Sequence, residues 1–402
     1  MEKYDRRCVT APSWIRDFHC IAEDCPDTCC QQWNIEVDPL HAELYEHLED
    51  RELRDILESL VRGFRVRKPG QKEAQLQYRL QLTNRPDQRC PLLNESGQCR
   101  LQKKYGAYIL CDTCYFHPRN FWQLDEQICL SACLSCPECA RLALLPREPV
   151  TFVQFETEID PYVDWLETSM IADPGVRELM RNRDLLILSL CTILQNRALC
   201  ISDRLYHAEA FLDTLAGVGT TDENAIRQAA GTTEEGGSRI PADPESRMRS
   251  FLEIFVPVSE TIEKPVQGAE KLLRSLAGGR DGFVRLLADN YESGCRILDP
   301  FLKENEYLLE NFLVNCVFSD SFRQFHRCRS DFLSVPQVLR HESALLRIWD
   351  LFIRVQLAQT ALTEGSMNAE LFLRTVSSAD KTWWHYPDWF ARCADRLAER
   401  AG

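Results

Sequence analysis

The distribution of cysteines constrains the fold of this chain more than any other feature. Thirteen of the 19 cysteines lie between Cys8 and Cys139, within a chain of 402 residues. That density is typical of a disulfide scaffold or a metal-binding domain. The remaining six fall on helical faces, where we interpret them as small buried apolar side chains. These six are Cys191, Cys200, Cys295, Cys316, Cys328 and Cys393.

Whether clustered cysteines form disulfides or bind metal depends on the cellular compartment of the protein. The opening segment, residues 1–14, is charged and interrupted, unlike the apolar region of a secretory signal peptide. The sequence contains no run of apolar residues long enough to cross a bilayer. We therefore expect a cytoplasmic protein without membrane insertion, in which thiols stay reduced and clustered cysteines bind metal. The formal net charge of -14, with no basic stripe, argues against a nucleic-acid partner.

Hydrophobic periodicity predicts a small module of mixed secondary structure at the N-terminus. Asp38-Pro39 predicts the start of a helix, whose apolar spacing continues to about Gly63. A capping box from Ser135 to Glu138 predicts a second helix that ends near Leu145. Alternating apolar residues predict strands at 33–37 and 76–82, and a hairpin over 121–130.

Helical patterns dominate after Val150, the first of them over 160–172. Residues 217–245 are rich in Gly, Thr, Glu and Pro, which predicts a flexible loop. The fold class is therefore mainly α with a small α+β Cys-rich N-terminal module, and neither a Rossmann nor a TIM-barrel fold. We predict two domains, a metal or cluster-binding module over 1–148 and an α-helical domain over 149–402.

The N-terminal cysteines form four close-spaced clusters. Adjacent Cys29 and Cys30 are expected to point to different sides of an extended chain, so they should not both bind one metal directly. Cys136 should lie in the first turn of a helix, where the helix dipole favours its thiolate. The clusters are Cys20, Cys25, Cys29 and Cys30; Cys90 and Cys99; Cys111 and Cys114; and Cys129, Cys133, Cys136 and Cys139.

The spacing Cys129-x3-Cys133-x2-Cys136 matches the cluster loop of radical S-adenosylmethionine enzymes. Two features oppose that interpretation. The chain lacks the strand–helix alternation of a (β/α) barrel, and Ser135 stands where those loops usually carry an aromatic residue. Tyr115, His117 and Arg119 adjoin Cys114 and are further candidates to line a site.

Four ordered blocks together resemble the flagellin lysine-N-methylase (FliB) family, and the first three also resemble a smaller CxxCxxCC family of zinc- or iron-chelating proteins. The blocks run from Phe18 to Trp33, from Cys90 to Gln102, from Thr113 to Arg119 and from Leu134 to Glu138. The resemblance implies transfer of methyl groups from S-adenosylmethionine to lysines of flagellin, with a [4Fe-4S] cluster or, alternatively, zinc. The implied metal ligands are Cys20, Cys25, Cys29, Cys30, Cys90, Cys99, Cys114 and Cys136.

Eight thiols exceed the four that one cluster needs. Cys111, Cys129, Cys133 and Cys139 fall outside the family pattern, and Cys8 lies outside every cluster. The residues alone leave the catalytic base, the S-adenosylmethionine site and the oligomeric state open. Two other hypotheses stand beside the methylase: a non-enzymatic zinc- or iron-chelating interaction protein, and a thiol redox sensor.

Overall fold

The computed structural model confirms a mainly helical chain with a small mixed α+β region at the N-terminus. It describes residues 4–31, 33–66, 75–161, 163–231, 244–259, 279–322, 334–385 and 392–398. Within these ranges we find neither a doubly wound sheet nor a (β/α) barrel, since the strands form two small sheets.

The larger sheet has five strands in the order β7-β1-β6-β5-β8. The β5–β6 hairpin is the one that the sequence predicts, and β1 runs parallel to β6. Strand β7 pairs with β1 over seven residues, antiparallel. The strands are β1 (Arg6–Pro12), β5 (Arg119–Leu124), β6 (Gln127–Ala132), β7 (Phe152–Glu158) and β8 (Asp164–Leu166).

The smaller sheet is antiparallel, with the order β2-β4-β3. Its strands are β2 (Ile35–Val37), β3 (Val61–Val66) and β4 (Gln75–Leu80), and the predicted strands at 33–37 and 76–82 correspond to β2 and β4. Asp38 caps the first helix as predicted, because its side chain accepts a hydrogen bond from the His41 N–H at 3.0 Å.

The described part of the chain contains fourteen helices up to His385 and a further helical segment over 392–398. Five of the fourteen precede β7 in the sequence. The early ones are α1 (Pro39–Glu46), α2 (Arg51–Leu60), α3 (Arg100–Tyr105), α4 (Asp112–Phe116) and α5 (Pro137–Leu144). The later ones are α6 (Pro174–Arg181), α7 (Arg183–Leu194), α8 (Ile201–Val218), α9 (Glu223–Gly231), α10 (Pro244–Ser259), α11 (Gly279–Glu304), α12 (Glu306–Asp320), α13 (Val335–Glu364) and α14 (Ala369–His385).

Several local predictions are wrong. The helix predicted over 160–172 is instead β8 followed by a short 3-10 turn, Thr168–Met170. The predicted loop at 217–245 contains α9, and residues 232–243 lie outside the described ranges. The helical stretch predicted to reach Gly63 is two helices that end at Leu60, where β3 takes over.

Buried apolar side chains form two clusters. The larger one joins the five-stranded sheet to the helices, from Val9 in β1 to Phe372 in α14. The smaller one lies between the three-stranded sheet and helices α1 and α2, with Ile35, Leu57 and Leu80 at its centre. The domain boundary near residue 148 stays a prediction.

The long helices α11 and α13 approach closely at Gly294. A Cβ added to Gly294 would lie 2.1 Å from the carbonyl oxygen of Ala358. We expect Gly294→Ala to lower the free energy of unfolding by about 1–3 kcal/mol, because the methyl group overpacks a backbone contact. The measurement is the urea midpoint by circular dichroism.

Gly217→Ala is the matched control, since Gly217 lies in α8 and nothing stands within 4 Å of an added Cβ. The higher helix propensity of alanine should stabilise that variant by up to about 1 kcal/mol. Equal midpoints for Gly294→Ala and the wild type would contradict the close approach.

Candidate metal centre

Four of the predicted ligands lie on two segments that meet at one place. Cys20, Cys25 and Cys29 belong to the loop after β1, and Cys136 is the N-cap residue of α5. A 3-10 turn, Ala22–Asp24, separates Cys20 from Cys25. We call these four residues the outer thiol group, because Cys20 and Cys29 are exposed and Cys25 and Cys136 are half-buried.

Local hydrogen bonds hold the loop of the outer thiol group. The Cys25 thiol donates to the carbonyl of Asp27 at 3.4 Å. The indole N–H of Trp33 donates to the carbonyl of Cys29 at 2.5 Å. Ala22 adopts a φ of 47°, a left-handed conformation that is uncommon outside glycine. The loop is therefore shaped by its own backbone contacts.

The thiols of the outer group influence one another's ionisation. The pKa of Cys29 is raised well above its ordinary value, first by its hydrogen bond to the Cys30 thiol, then by burial, and less by the charges of Cys30, Cys136 and Cys20. The pKa of Cys25 is raised by burial, and further by Cys136 and Cys20. Such mutual repulsion between thiolates is what a bound cation relieves.

The Cys136 thiolate is favoured, as the sequence predicts. A hydrogen bond from the Cys139 thiol, together with the backbone N–H groups of Cys139 and Glu138, lowers the pKa of Cys136 to about 7 against the opposing effect of burial. The capping box expected at Ser135 is wrong, because the N-cap is Cys136 and no side chain caps the helix.

Helix α14 contacts both segments that carry the outer thiol group. Lys381 forms an ion pair with Asp27 in the loop after β1. Asp380 accepts a hydrogen bond from the Ser135 N–H at 2.6 Å, directly before Cys136. Burial raises the pKa of Asp380 to about 7. Helix α14 therefore links both ligand-bearing segments to the helical body.

The other four predicted ligands lie in or against the smaller apolar cluster, together with a thiol that the family pattern does not include. A hydrogen bond between the Cys29 and Cys30 thiols joins this set to the outer thiol group. Cys90 and Cys111 are buried in the smaller apolar cluster, and three further cysteines pack against it. The Cys90 N–H donates to the Cys30 carbonyl at 2.8 Å, which joins the two chain segments. We call this set the inner thiol group; it consists of Cys30, Cys90, Cys99, Cys111 and Cys114.

Helix termini present several of the inner thiols. Cys99 is the N-cap residue of α3, and Cys111 is the N-cap residue of α4, which also carries Cys114. A hydrogen bond from the Cys114 thiol lowers the pKa of Cys111 and raises that of Cys114. A hydrogen bond from Cys29 lowers the pKa of Cys30 to about 7, and burial raises that of Cys90 to about 12.

A buried polar network surrounds the turn that carries Cys111. The Asp112 N–H donates to Asp38 at 3.0 Å, and the Cys111 N–H donates to the Tyr45 hydroxyl at 2.8 Å. The Nδ1 atom of His41 lies 2.6 Å from Asp38 and 3.9 Å from Asp112. The Tyr4 hydroxyl completes the network by donating to Asp112 at 2.8 Å.

The electrostatics of this network favour a charged Asp38. Burial alone would raise the pKa of Asp38, but its hydrogen bonds from His41 and Asp112 lower it to about 2. Asp38, His41 and Asp112 also bring three ligand atoms within 4.8 Å of one another. The roles of His41 and Asp112 were not predicted from the sequence. The signals for them were the N-cap Asp38 and an aspartate inside Cys111-x2-Cys114.

The remaining cysteines of the fourth cluster make contacts with protein groups. Cys129 lies in β6, where its sulfur is 3.5 Å from the guanidinium of Arg183. The Cys133 thiol donates to the carbonyl of Pro118 at 3.4 Å. These contacts, and the lack of a barrel in the described part of the chain, do not favour the radical S-adenosylmethionine interpretation.

The residues beside Cys114 form an aromatic cluster next to the inner thiol group. The rings of Tyr108 and Tyr115 stack with centroids 5.5 Å apart, and both hydroxyls donate to Glu158. The Arg119 guanidinium lies 5.2 Å from the Phe18 ring centroid, and His117 lies 5.9 Å from the Trp33 ring. Arg119 and His117 thus lie beside aromatic residues that flank the segment carrying Cys20, Cys25 and Cys29.

None of the helices in the described ranges is both long and apolar enough to span a bilayer.

Comparison with known proteins gives matches to lysine methylases. A family model described as the FliB lysine N-methylase C-terminal domain matches residues 189–402, more than half of the chain. The flagellar biosynthetic protein FliU of Salmonella muenchen is 30% identical over 130 residues, which cover 32% of this chain and 73% of that protein.

Two lysine-N-methylases, from Salmonella choleraesuis and Salmonella typhimurium, are also 30% identical over 130 residues. The matched segment spans only 31% of the length of either enzyme. No solved structure matches the chain.

Proposed function

Because the chain belongs to the FliB lysine N-methylase family, we propose that it transfers methyl groups from S-adenosylmethionine to lysine side chains of flagellin. The observation that carries this proposal is the family match over residues 189–402. The names of the relatives, a flagellar biosynthetic protein and two lysine-N-methylases, support a flagellar protein as substrate. The thiol-rich sequence supports a cytoplasmic location, where thiols stay reduced.

The proposed reaction transfers a methyl group from the sulfonium of S-adenosylmethionine to the lysine nitrogen. A bond forms between the lysine nitrogen and the methyl carbon as the carbon–sulfur bond breaks, so the sulfonium becomes a thioether. The lysine ammonium must lose one proton, because only the neutral amine is a nucleophile. The chain's formal charge of -14 favours the approach of a lysine-bearing protein.

We assign the [4Fe-4S] cluster of the proposed enzyme to the outer thiol group. Its donors fit, since Cys20, Cys25, Cys29 and Cys136 are four thiols and iron–sulfur clusters are held by thiolates. The cluster would supply iron chemistry next to the helical body. The chain's own contribution is positional, because Lys381 and Asp380 attach the two ligand-bearing segments to α14 within the family-matched region.

The methylase proposal is tested by mass spectrometry of flagellin from a strain that lacks this gene. We expect lysine methylation to disappear in the deletion strain and to return with the wild-type gene. Cys25→Ser should fail to restore it, because the variant removes an outer ligand. Cys8→Ser is the matched control, since Cys8 lies exposed in β1 outside both thiol groups, and it should restore methylation.

Unchanged methylation in the deletion strain would refute flagellin as the substrate. Anaerobic purification with metal analysis and an absorption spectrum tests the cluster separately. A colourless zinc protein without iron would instead favour the chelating interaction protein. A metal-free protein whose thiols oxidise reversibly would favour the redox sensor.

A further inference from the structure

Two buried side chains stack on each other where the five-stranded sheet meets the helical body. The guanidinium carbon of Arg183 in α7 lies 4.3 Å from the ring centroid of Trp122 in β5. Arg183 is 2% exposed and Trp122 is 3% exposed. Within the described ranges, neither the Nε atom of Arg183 nor the indole nitrogen of Trp122 has a hydrogen-bond partner. Buried donors are costly unless another group accepts from them, so these two atoms indicate a ligand.

The positive charge of Arg183 is only weakly compensated. Its NH1 atom lies 3.3 Å from Asp184, whose side chain is 47% exposed and therefore screened by solvent. The same atom lies 3.5 Å from the sulfur of Cys129, which is a weak acceptor. A buried guanidinium of this kind favours an anion, and its planar fork matches a carboxylate. Because Asp184 is half exposed, this end of the guanidinium also lies near the surface.

A buried carboxyl group acts on the same region from α13. Glu342 is 1% exposed, and its Oε1 atom accepts a hydrogen bond from the Phe322 N–H at 3.0 Å. Burial raises the pKa of Glu342 to about 7, and the charge of Arg183 is among the influences that lower it. Among the ion pairs of the described residues, Arg183 is joined to Asp184 and not to Glu342. A carboxylate has about four lone-pair sites, so Glu342 can also accept from an ammonium group.

We propose that Arg183, Trp122 and Glu342 bind the amino-acid end of S-adenosylmethionine, with its carboxylate at Arg183 and its α-ammonium at Glu342. This inference rests on the methylase function proposed above, which requires that cofactor. The donor set fits, because an amino-acid group carries one carboxylate and one ammonium near neutral pH. The Trp122 N–H is a further donor beside the guanidinium.

The fold holds the arginine of this site against the sheet. Trp122 and Cys129 are partners across the β5–β6 hairpin, so both lie under the Arg183 side chain. A cation–π contact with a buried indole fixes the guanidinium, and its N–H groups stay in its own plane. Glu342 lies within the family-matched residues 189–402, and Arg183 lies just before them. The site therefore joins the N-terminal sheet to the helical body.

Equilibrium dialysis of S-adenosylmethionine against anaerobically purified full-length protein tests the site. We expect Glu342→Gln to weaken binding about ten- to a hundredfold, because the charged hydrogen bond to the ammonium is lost. Glutamine keeps the acceptor for Phe322. Arg183→Lys should weaken binding to a similar degree, because an ammonium does not reproduce the guanidinium fork. The matched controls Glu370→Gln and Arg181→Lys, at exposed positions, should bind like the wild type.

A second ligand separates lost contacts from a general change of the protein. 5′-Methylthioadenosine has the nucleoside and the sulfur of the cofactor and lacks its amino-acid end. Its affinity should be the same in the wild type, Glu342→Gln and Arg183→Lys. Equal losses for both ligands in these variants would contradict the site, because they would indicate a disturbed fold rather than a missing contact with the amino-acid group.

Wild-type affinity for S-adenosylmethionine in both Glu342→Gln and Arg183→Lys would overturn the proposal and leave the methylase function standing. Loss of binding in Cys25→Ser alone would place the amino-acid end at the outer thiol group instead. A wild-type protein that does not bind S-adenosylmethionine would refute the methylase proposal, and this site with it. The binding measurement does not depend on flagellin methylation, so the two proposals can be distinguished.

Discussion

Replacing Arg204 by alanine should lower the free energy of unfolding by about 2–3 kcal/mol, because it removes the more buried of the two arginines that pair with a buried carboxylate. Glu310 in α12 is 0% exposed and Arg204 in α8 is 3% exposed. Their side chains meet at 2.8 Å, and Arg204 also donates to the Leu199 carbonyl at 2.7 Å. Arg197 remains as a second, more exposed partner of Glu310.

The matched control for this prediction is Arg227→Ala. Arg227 pairs with Glu223 within α9, and both side chains are more than 60% exposed. Exposed pairs of this type contribute less than about 0.5 kcal/mol. Urea midpoints of the two variants give the comparison. An Arg204→Ala midpoint equal to that of Arg227→Ala would contradict the buried network.

The second large effect is a pH dependence that Glu342→Gln should remove. Glu342 lies in α13 and accepts a hydrogen bond from the Phe322 N–H at 3.0 Å. Burial raises its pKa from 4.5 to about 7, although His341, the Phe322 N–H, Ser321 and Arg183 act in the opposite direction. Between pH 4.5 and about 7 the folded protein therefore holds a proton at Glu342 that the unfolded chain has lost.

The direction of this pH dependence follows from the difference in proton binding between the folded and unfolded states. Between pH 4.5 and about 7 the folded state binds more protons at Glu342 than the unfolded state does, so stability falls as the pH rises. The loss reaches about 3 kcal/mol above the folded pKa, at about 1.4 kcal/mol per pH unit. Glutamine keeps the acceptor for Phe322 and carries no charge.

We therefore expect the stability of Glu342→Gln relative to wild type to increase by about 3 kcal/mol between pH 4.5 and pH 8. Denaturant midpoints across this range measure the difference. Glu370→Gln, an exposed position in α14, should show a difference that does not vary with pH. A constant difference for Glu342→Gln as well would show that its carboxyl is ionised in the folded protein.

Local sequence signals predicted the parts of the fold that depend on neighbouring residues. Asp38 caps α1 because its carboxylate reaches an N–H three residues away. The β5–β6 hairpin follows from two apolar runs around a polar turn. The predicted helix after Pro137 begins at that residue, although Cys136 rather than Ser135 is its N-cap.

Two strands that the sequence did not predict, β7 and β8, pair with strands that are distant in the sequence. Strand β7 is half-buried, mixes apolar with polar residues and is an edge strand. It is stabilised by its seven-residue pairing with β1 at the other end of the N-terminal region. Strand β8 has three residues, too few for a periodic pattern, and depends on its pairing with β5. Neither partner is visible in a local window of sequence.

The sequence by itself determined the thiol-rich N-terminal region, the helical remainder and the resemblance to a methylase family. The expectation that Cys29 and Cys30 point to different sides is wrong, because their thiols hydrogen-bond to each other. Only the tertiary structure decided which thiols come together, and it placed Cys111 with Cys30, Cys90, Cys99 and Cys114. Those contacts depend on strand pairing and apolar packing between segments up to 84 residues apart, which cysteine spacing does not encode.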